Sequence, residues 1–236
     1  FFFKQKTAYE IRNCDWSSDV CSSDLGANSA SAPRSFGSAA TLVSGGVFAD
    51  LAVADVVGTS APDIVAANSS TGGSSGVHVI DGATLAPVAG SPFSAGRVPE
   101  SLSLADLNGD GKSDIVTSTV SPFPGPAGLS VLSTPSLAAT AVTNVACIDT
   151  FCGNIDGDSK ADIGYVRTNG TIVVGHGYNA SGTPDAWETL TAPTGAVRAS
   201  LGNIASSLTC GGQDIIAVGT VASRVCVAKD ASILAL

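Results

Sequence analysis

The 236-residue chain carries 11 Lys and Arg against 20 Asp and Glu, a formal charge of −9, with 27 glycines and no methionine. Phosphate binding wants a basic stripe, and none is visible, which argues against a nucleic-acid partner; no run of about 20 apolar residues is present to span a membrane. Charged residues make up only 13% of the chain, while Ala, Gly, Ser, Thr and Val dominate. That composition suits many short strands joined by small-residue turns better than helices with charged outer faces.

The N-terminal stretch stands apart from the rest. Lys4 to Ile11 and Asp15 to Leu25 resemble, in order, two segments of a translated short-read sequencing adapter. A signal peptide would need an apolar run after positive charge and a small-residue cleavage site, and neither is here. No fold and no function are expected from Phe1 to Leu25, and residues 26–40 read as a linker. The remaining 211 residues hold 8 basic and 16 acidic side chains.

From residue 41 onward the sequence repeats. Asp63-Ile64-Val65, Asp114-Ile115-Val116, Asp162-Ile163-Gly164 and Asp214-Ile215-Ile216 are separated by 51, 48 and 52 residues. Self-similarity at about 50 residues marks a repeat architecture. The four units fall at about 41–93, 94–145, 146–192 and 193–236. In each, an alternating first segment precedes the Asp: Leu51 to Ala54, Leu102 to Leu107, Thr150 to Ile155 and Ser200 to Ile204. A third segment follows a Gly- or Ser-containing turn: Gly76 to Ile80, Gly128 to Leu132, Gly170 to Val174 and Arg224 to Val227. A weaker fourth lies near Leu85–Phe93, Ala138–Val145, Trp187–Leu190 and Ile233–Leu236. Four short strands per unit predict an all-β fold of β-propeller blades, each stacked on its neighbours because none can bury both faces alone.

Between the first and second segments lie nine-residue loops. In the second unit, Asp106, Asn108, Asp110 and Asp114 put side-chain oxygens at loop positions 1, 3, 5 and 9; Asn154, Asp156, Asp158 and Asp162 do the same in the third. Calcium takes six to eight hard oxygen ligands, so these side chains, the position-7 carbonyls of Lys112 and Lys160, and water would suit it. Gly109 and Gly111 let the backbone turn where a β-carbon would clash. An EF-hand is excluded: it needs twelve residues, a Glu at the last and flanking helices, whereas position 12 is Thr117 or Tyr165 within β-branched and aromatic sequence. The first loop, Asp55 to Asp63, has Val57 and Thr59 at positions 3 and 5 and is expected to hold no metal. The fourth replaces its acids with Ala205, Ser206 and Ser207.

At these residues the chain resembles FG-GAP/VCBS repeats, the calcium-binding blades of integrin-α-like propellers, from Phe36 to about Leu236. The resemblance implies calcium as a structural brace on one face and a protein or glycan ligand on the other face or between blades. It implies an adhesion or ligand-binding module, secreted or on the cell surface. Such propellers usually close with seven blades, so four predict an arc that is a piece of a larger ring, its neighbouring blades missing. Two other roles stay open: the accessory or catalytic propeller of a secreted enzyme acting on polysaccharide or lipid, and a passive spacer. Catalysis is not expected, because no Gly-x-Ser-x-Gly elbow or His-Glu-x-x-His is present.

Cys147, Cys152, Cys210 and Cys226 allow three pairings. Cys147–Cys152 with Cys210–Cys226 is preferred on separation, although the odd spacing of the first pair demands a bend in the strand. His78 and His176 read as ordinary strand or turn residues. Phe93, Phe123, Tyr165, Tyr178 and Trp187 read mainly as packing between blades.

Overall fold

The computed structural model describes residues 41–71, 75–95, 98–120, 128–179, 182–190, 196–202, 214–219, 225–229 and 232–235. The leader, the linker, Phe123, the fourth loop and the Cys210–Cys226 pairing lie outside them. Leu42–Leu236 forms one compact unit, and no helix occurs among its described residues.

Among the described residues, fifteen strands arrange as four antiparallel sheets, each ordered as its strands follow in the chain. Blade 1 comprises β1 (Phe48–Ala54), β2 (Asp63–Asn68) and β3 (Gly76–Ile80). Blade 2 is β4 (Pro99–Ala105), β5 (Asp114–Thr119), β6 (Gly128–Ser133) and β7 (Ala138–Thr143). Blade 3 is β8 (Cys147–Gly153), β9 (Asp162–Arg167), β10 (Ile172–Tyr178) and β11 (Pro184–Leu190). Blade 4 is β12 (Ala196–Gly202), β13 (Asp214–Gly219), β14 (Val225–Lys229) and β15 (Ser232–Ala235). The expected fourth segment of blade 1 is present only as bridges of Pro87 to Ile80 and Phe93 to Val77. The expected third strand of unit three starts late, at Ile172, because Thr168 to Gly170 are used by the turn after β9.

Each first strand begins earlier than its alternating pattern suggests and carries a bulge at the same register: Phe48/Asp50, Pro99/Ser101, Cys147/Asp149 and Ala196/Arg198. An extra residue shifts the side-chain alternation by one. Cys147 and Cys152, five apart, therefore pack toward the same core between blades 2 and 3. They still sit at opposite ends of β8, roughly 16 Å apart at strand rise. Both are free thiols, which corrects the expected Cys147–Cys152 bridge: no bend brings them together.

Three apolar cores fill the spaces between successive blades. Ile115 packs with Val65 and Val77 of blade 1, Ile163 with Val116 and Val131 of blade 2, and Ile215 with Val166 and Val174 of blade 3. The residue after Asp114, Asp162 and Asp214 is thus the plug against the preceding blade. Phe93, Tyr165 and Tyr178 join these cores as expected, whereas Trp187 remains 45% exposed with its ring edge-on to Tyr165. Blade 1 shows its matching face to solvent. Leu51 is 64% exposed, while Leu102 and Ala199, at the same register, are each 8% exposed. First strands pack side by side in the order β1, β4, β8, β12, and β12 makes no comparable contact with β1 among the described residues.

The thiols report on this packing. Burial pushes Cys147 up to about 11 and Cys152 up to about 12. Folded-state values above the unfolded one mean that their contribution to stability is full below the unfolded value and is lost as pH rises through 11 to 12. Since the thiolate is the reactive form, neither should be alkylated in the native protein at about pH 8, and both should react once it unfolds. Mass spectrometry after a timed iodoacetamide pulse reads this directly; rapid native labelling of either would contradict the packing.

Candidate metal centre

The loops sit where each first strand hands over to the second, and their geometry starts with the position-9 aspartate. Asp114 has no exposed surface. Its Oδ2 accepts the N–H of Leu107 (2.9 Å) and Asn108 (3.2 Å), and its Oδ1 accepts the N–H of Thr134 (2.7 Å). Asp162 repeats this with Ile155 (2.7 Å), Asp156 (3.3 Å) and Gly177 (2.8 Å). Asp63 repeats it with Val56 (2.9 Å), Val57 (2.8 Å) and Gly82 (3.0 Å). The first loop has no ligands at positions 3 and 5, yet its last Asp makes the same bonds. Its primary task is therefore to satisfy buried backbone donors that would otherwise be orphaned.

The other acids fold the loop around itself. Asp106 accepts the N–H of Gly109 (2.7 Å), Asp110 (3.2 Å) and Gly111 (2.9 Å). Asp110 accepts Lys112 N–H (2.8 Å) and the Thr134 hydroxyl (2.8 Å). That hydroxyl bond, first among several, holds the Asp110 carboxyl below its ordinary range. Burial raises Asp114 instead, offset in part by Thr134 and Leu107 and raised further by the Asp110 charge. The Asn108 amide nitrogen faces Asp110 Oδ2 (3.2 Å) and Asp114 Oδ1 (3.3 Å). Each carboxylate oxygen has two lone pairs, so Asp106 and Asp110 keep one each after these bonds, whereas the donors around Asp114 already take up all of its own.

In blade 3, Asn154 Oδ1 accepts Gly157 N–H (2.6 Å), Asp156 accepts that of Asp158 (3.1 Å), and Asp158 that of Lys160 (2.7 Å). Gly109, Gly111 and Gly157 have φ of 78°, 84° and 83°, but Ser159 takes the place of Gly111 at φ 95°. A side chain there is strained, and the surrounding bonds hold it. The two lysines also carry ion pairs. Lys112 Nζ lies 2.6 Å from Asp55 Oδ1 of the first loop, and Lys160 Nζ lies 2.6 Å from Asp185. The Lys112 pair gives Asp55 a partner other than a metal.

Sequence reasoning missed Thr134 and His176. Thr134 lies just past β6, 20 residues from Asp114, with nothing in its own neighbourhood to mark it. His176, read as an ordinary residue, stands in β10 with Nδ1 3.5 Å from Asp156 Oδ2 and 3.9 Å from Asp162 Oδ1. Asp156, Asp162 and His176 bring ligand atoms within 4.8 Å of one another, the one such trio of His, Cys or acid among the described residues. Asp106, Asp110 and Asp114 do not converge to that degree, because Asp106 is turned onto its own loop.

A second feature lies along the first strands, where Asp50, Ser101, Asp149 and Arg198 occupy the same register. They line an open cleft of about 660 Å³ together with Leu102, Phe151 and Leu201. Its acids, Asp50 and Asp149, bond to backbone N–H groups of the next blade.

Three antiparallel four-stranded sheets and one of three strands, stacked in chain order, with an acidic loop between the first two strands of blades 2 and 3, define a β-propeller module. Residues 98–121 match the FG-GAP repeat, and this stretch contains β4, β5 and the whole loop Asp106–Asp114. A search among curated proteins found no match to the chain.

Proposed function

We propose that this chain is a calcium-braced propeller module, extracytoplasmic, that binds a protein or glycan through its blades, with the metal in a structural role. The observation that carries the reading is the loop inside the FG-GAP match. Asp106, Asn108, Asp110, Asp114 and the Lys112 carbonyl would offer an all-oxygen set once Asp106 swings off its own loop and the Asn108 amide presents its oxygen, on a backbone already turned by its own hydrogen bonds. Asn154, Asp156, Asp158, Asp162 and the Lys160 carbonyl form the corresponding set in blade 3. Carboxylates gathered without a cation repel one another, and the raised Asp114 carboxyl reflects burial first and the Asp110 charge as well. A bound calcium would remove that repulsion and couple occupancy to blade stability by mass action. An extracytoplasmic setting supplies the calcium that short, partly open loops need, with affinity on the order of 10⁻⁴–10⁻³ M. The residues that resemble adapter sequence take no part.

Calorimetric titration of the chelator-treated protein tests this. Two sites are expected; Asp110→Ala and Asp158→Ala should each remove one, and Asp55→Ala none. At a free calcium of about ten times the dissociation constant, each site should add about 1.4 kcal/mol of stability. A stoichiometry of zero, or binding that survives the double substitution, would leave the loops as decorated turns.

A further inference from the structure

Outside the oxygen sets, one ring nitrogen of β10 beside the blade 3 loop lacks a hydrogen-bond partner. His176 Nδ1 is buried and accepts or donates no hydrogen bond. The other ring nitrogen, Nε2, lies 3.2 Å from Glu188 Oε2. An ionised carboxylate only accepts, so Nε2 carries the proton, and in the neutral ring Nδ1 is left with its lone pair. That lone pair faces Asp156 Oδ2 at 3.5 Å and Asp162 Oδ1 at 3.9 Å. Three acceptors pointed at one another repel unless a proton or a metal cation lies among them.

From this arrangement we infer that the blade 3 loop binds a divalent ion of the zinc class through Asp156, Asp162 and His176, with Glu188 orienting the imidazole. The inference rests on the reading that these loops hold divalent cations and specifies which ion this one prefers. Ligand atoms about 2.0–2.2 Å from a tetrahedral ion lie roughly 3.3–3.6 Å apart; the two His176 separations are within a few tenths of an ångström of that, and the two carboxylates lie within 4.8 Å of each other. Metal-bound histidines characteristically give their second ring nitrogen to a carboxylate, the place Glu188 fills. Imidazole suits zinc and its neighbours, whereas calcium prefers oxygen throughout. Asp162 is fully buried, while the Asp156 side chain is 39% exposed and leaves the ion a way in. Blade 2 shows the contrast. There the residue beside the loop is Thr134, whose hydroxyl bonds Asp110 and Asp114, and the donor set is all oxygen.

Cobalt(II) absorption, with zinc competition and parallel calcium calorimetry on the full chain, tests the inference. One equivalent of cobalt should give ligand-field bands, without thiolate charge-transfer bands, that zinc displaces. His176→Gln should abolish them while calcium binding in blade 2 persists, and Glu188→Gln should weaken cobalt ~10–100-fold. Cobalt bands that survive His176→Gln would overturn the inference, as would calcium binding at both loops with no cobalt or zinc uptake. In that second case the calcium reading stands; absence of every cation removes both. If His176→Gln fails to fold, imidazole ¹⁵N shifts of the unmodified protein decide. Zinc should move the Nδ1 resonance, and an unmoved Nδ1 overturns the assignment to His176.

Discussion

Asp63→Ala should destabilise the protein by about 3–5 kcal/mol, and by the same amount in calcium or in chelator. The first loop has Val57 and Thr59 where ligands would stand, so this aspartate has no metal set to complete. What it has is three backbone donors, the N–H groups of Val56, Val57 and Gly82, all within 3.0 Å. A buried donor left unpaired costs about 1–3 kcal/mol, and alanine leaves three. Some of that is recovered where water reaches the loop, which sets the estimate below the full sum. Asp63→Asn should fall between, because it keeps one acceptor oxygen but turns an amide N–H toward donors. Asp55→Ala is the control in the same loop: its Lys112 ion pair is about a third exposed on each side and so worth little. Urea unfolding followed by circular dichroism, with and without calcium, measures all three. A destabilisation that appears only with calcium would make position 9 a metal ligand and nothing more.

That result bears on how the loops were legible at all. The repeat period, the strand types and the handover points could be read from the spacing of Asp63, Asp114, Asp162 and Asp214, because in blades 1 to 3 that residue has the same structural task. That the apolar residue after it plugs the preceding blade came only from the packing. What escaped was long-range. Thr134 and His176 reach the loops from third strands, 20 and 14 residues from Asp114 and Asp162 respectively, and no local pattern marks them. The bulges were hidden too, since a one-residue shift leaves no signature in an Ala/Ser/Val-rich strand. They placed both Cys147 and Cys152 toward one core, where alternation alone separates their faces. The ligand roles at positions 1, 3 and 5 follow from residue type, whereas Asp106 turning onto Gly109–Gly111 depends on backbone geometry.

The second large effect is expected at Asp149, the carboxylate that joins three blades. It lies in β8 with 6% of its surface exposed. Oδ1 accepts the Ser101 hydroxyl of blade 2 (2.7 Å) and Arg198 Nη1 of blade 4 (3.2 Å); Oδ2 accepts the Ala199 N–H (2.7 Å). Asp50, one blade pair earlier at the same register, makes the corresponding bond to Leu102 N–H (2.8 Å). Blade 2 has Ser101 at this register, and the hydroxyl reverses the direction, donating forward to Asp149. Asp149→Ala would orphan the Ala199 donor and the Ser101 hydroxyl inside the blade junction, costing about 2–4 kcal/mol. The Arg198 term should be small, because its side chain is 61% exposed and regains water when the carboxylate is lost. Double-mutant cycles separate these contributions. Coupling of Asp149 to Ser101 should be about 1 kcal/mol, and to Arg198 under about 1 kcal/mol and diminished by salt. Asp50→Ala, removing one such bond at a half-exposed site, should cost clearly less than Asp149→Ala. Equal losses at the two positions would mean that the carboxylate acts within each junction alone and does not tie blades 2, 3 and 4 into one cooperative block.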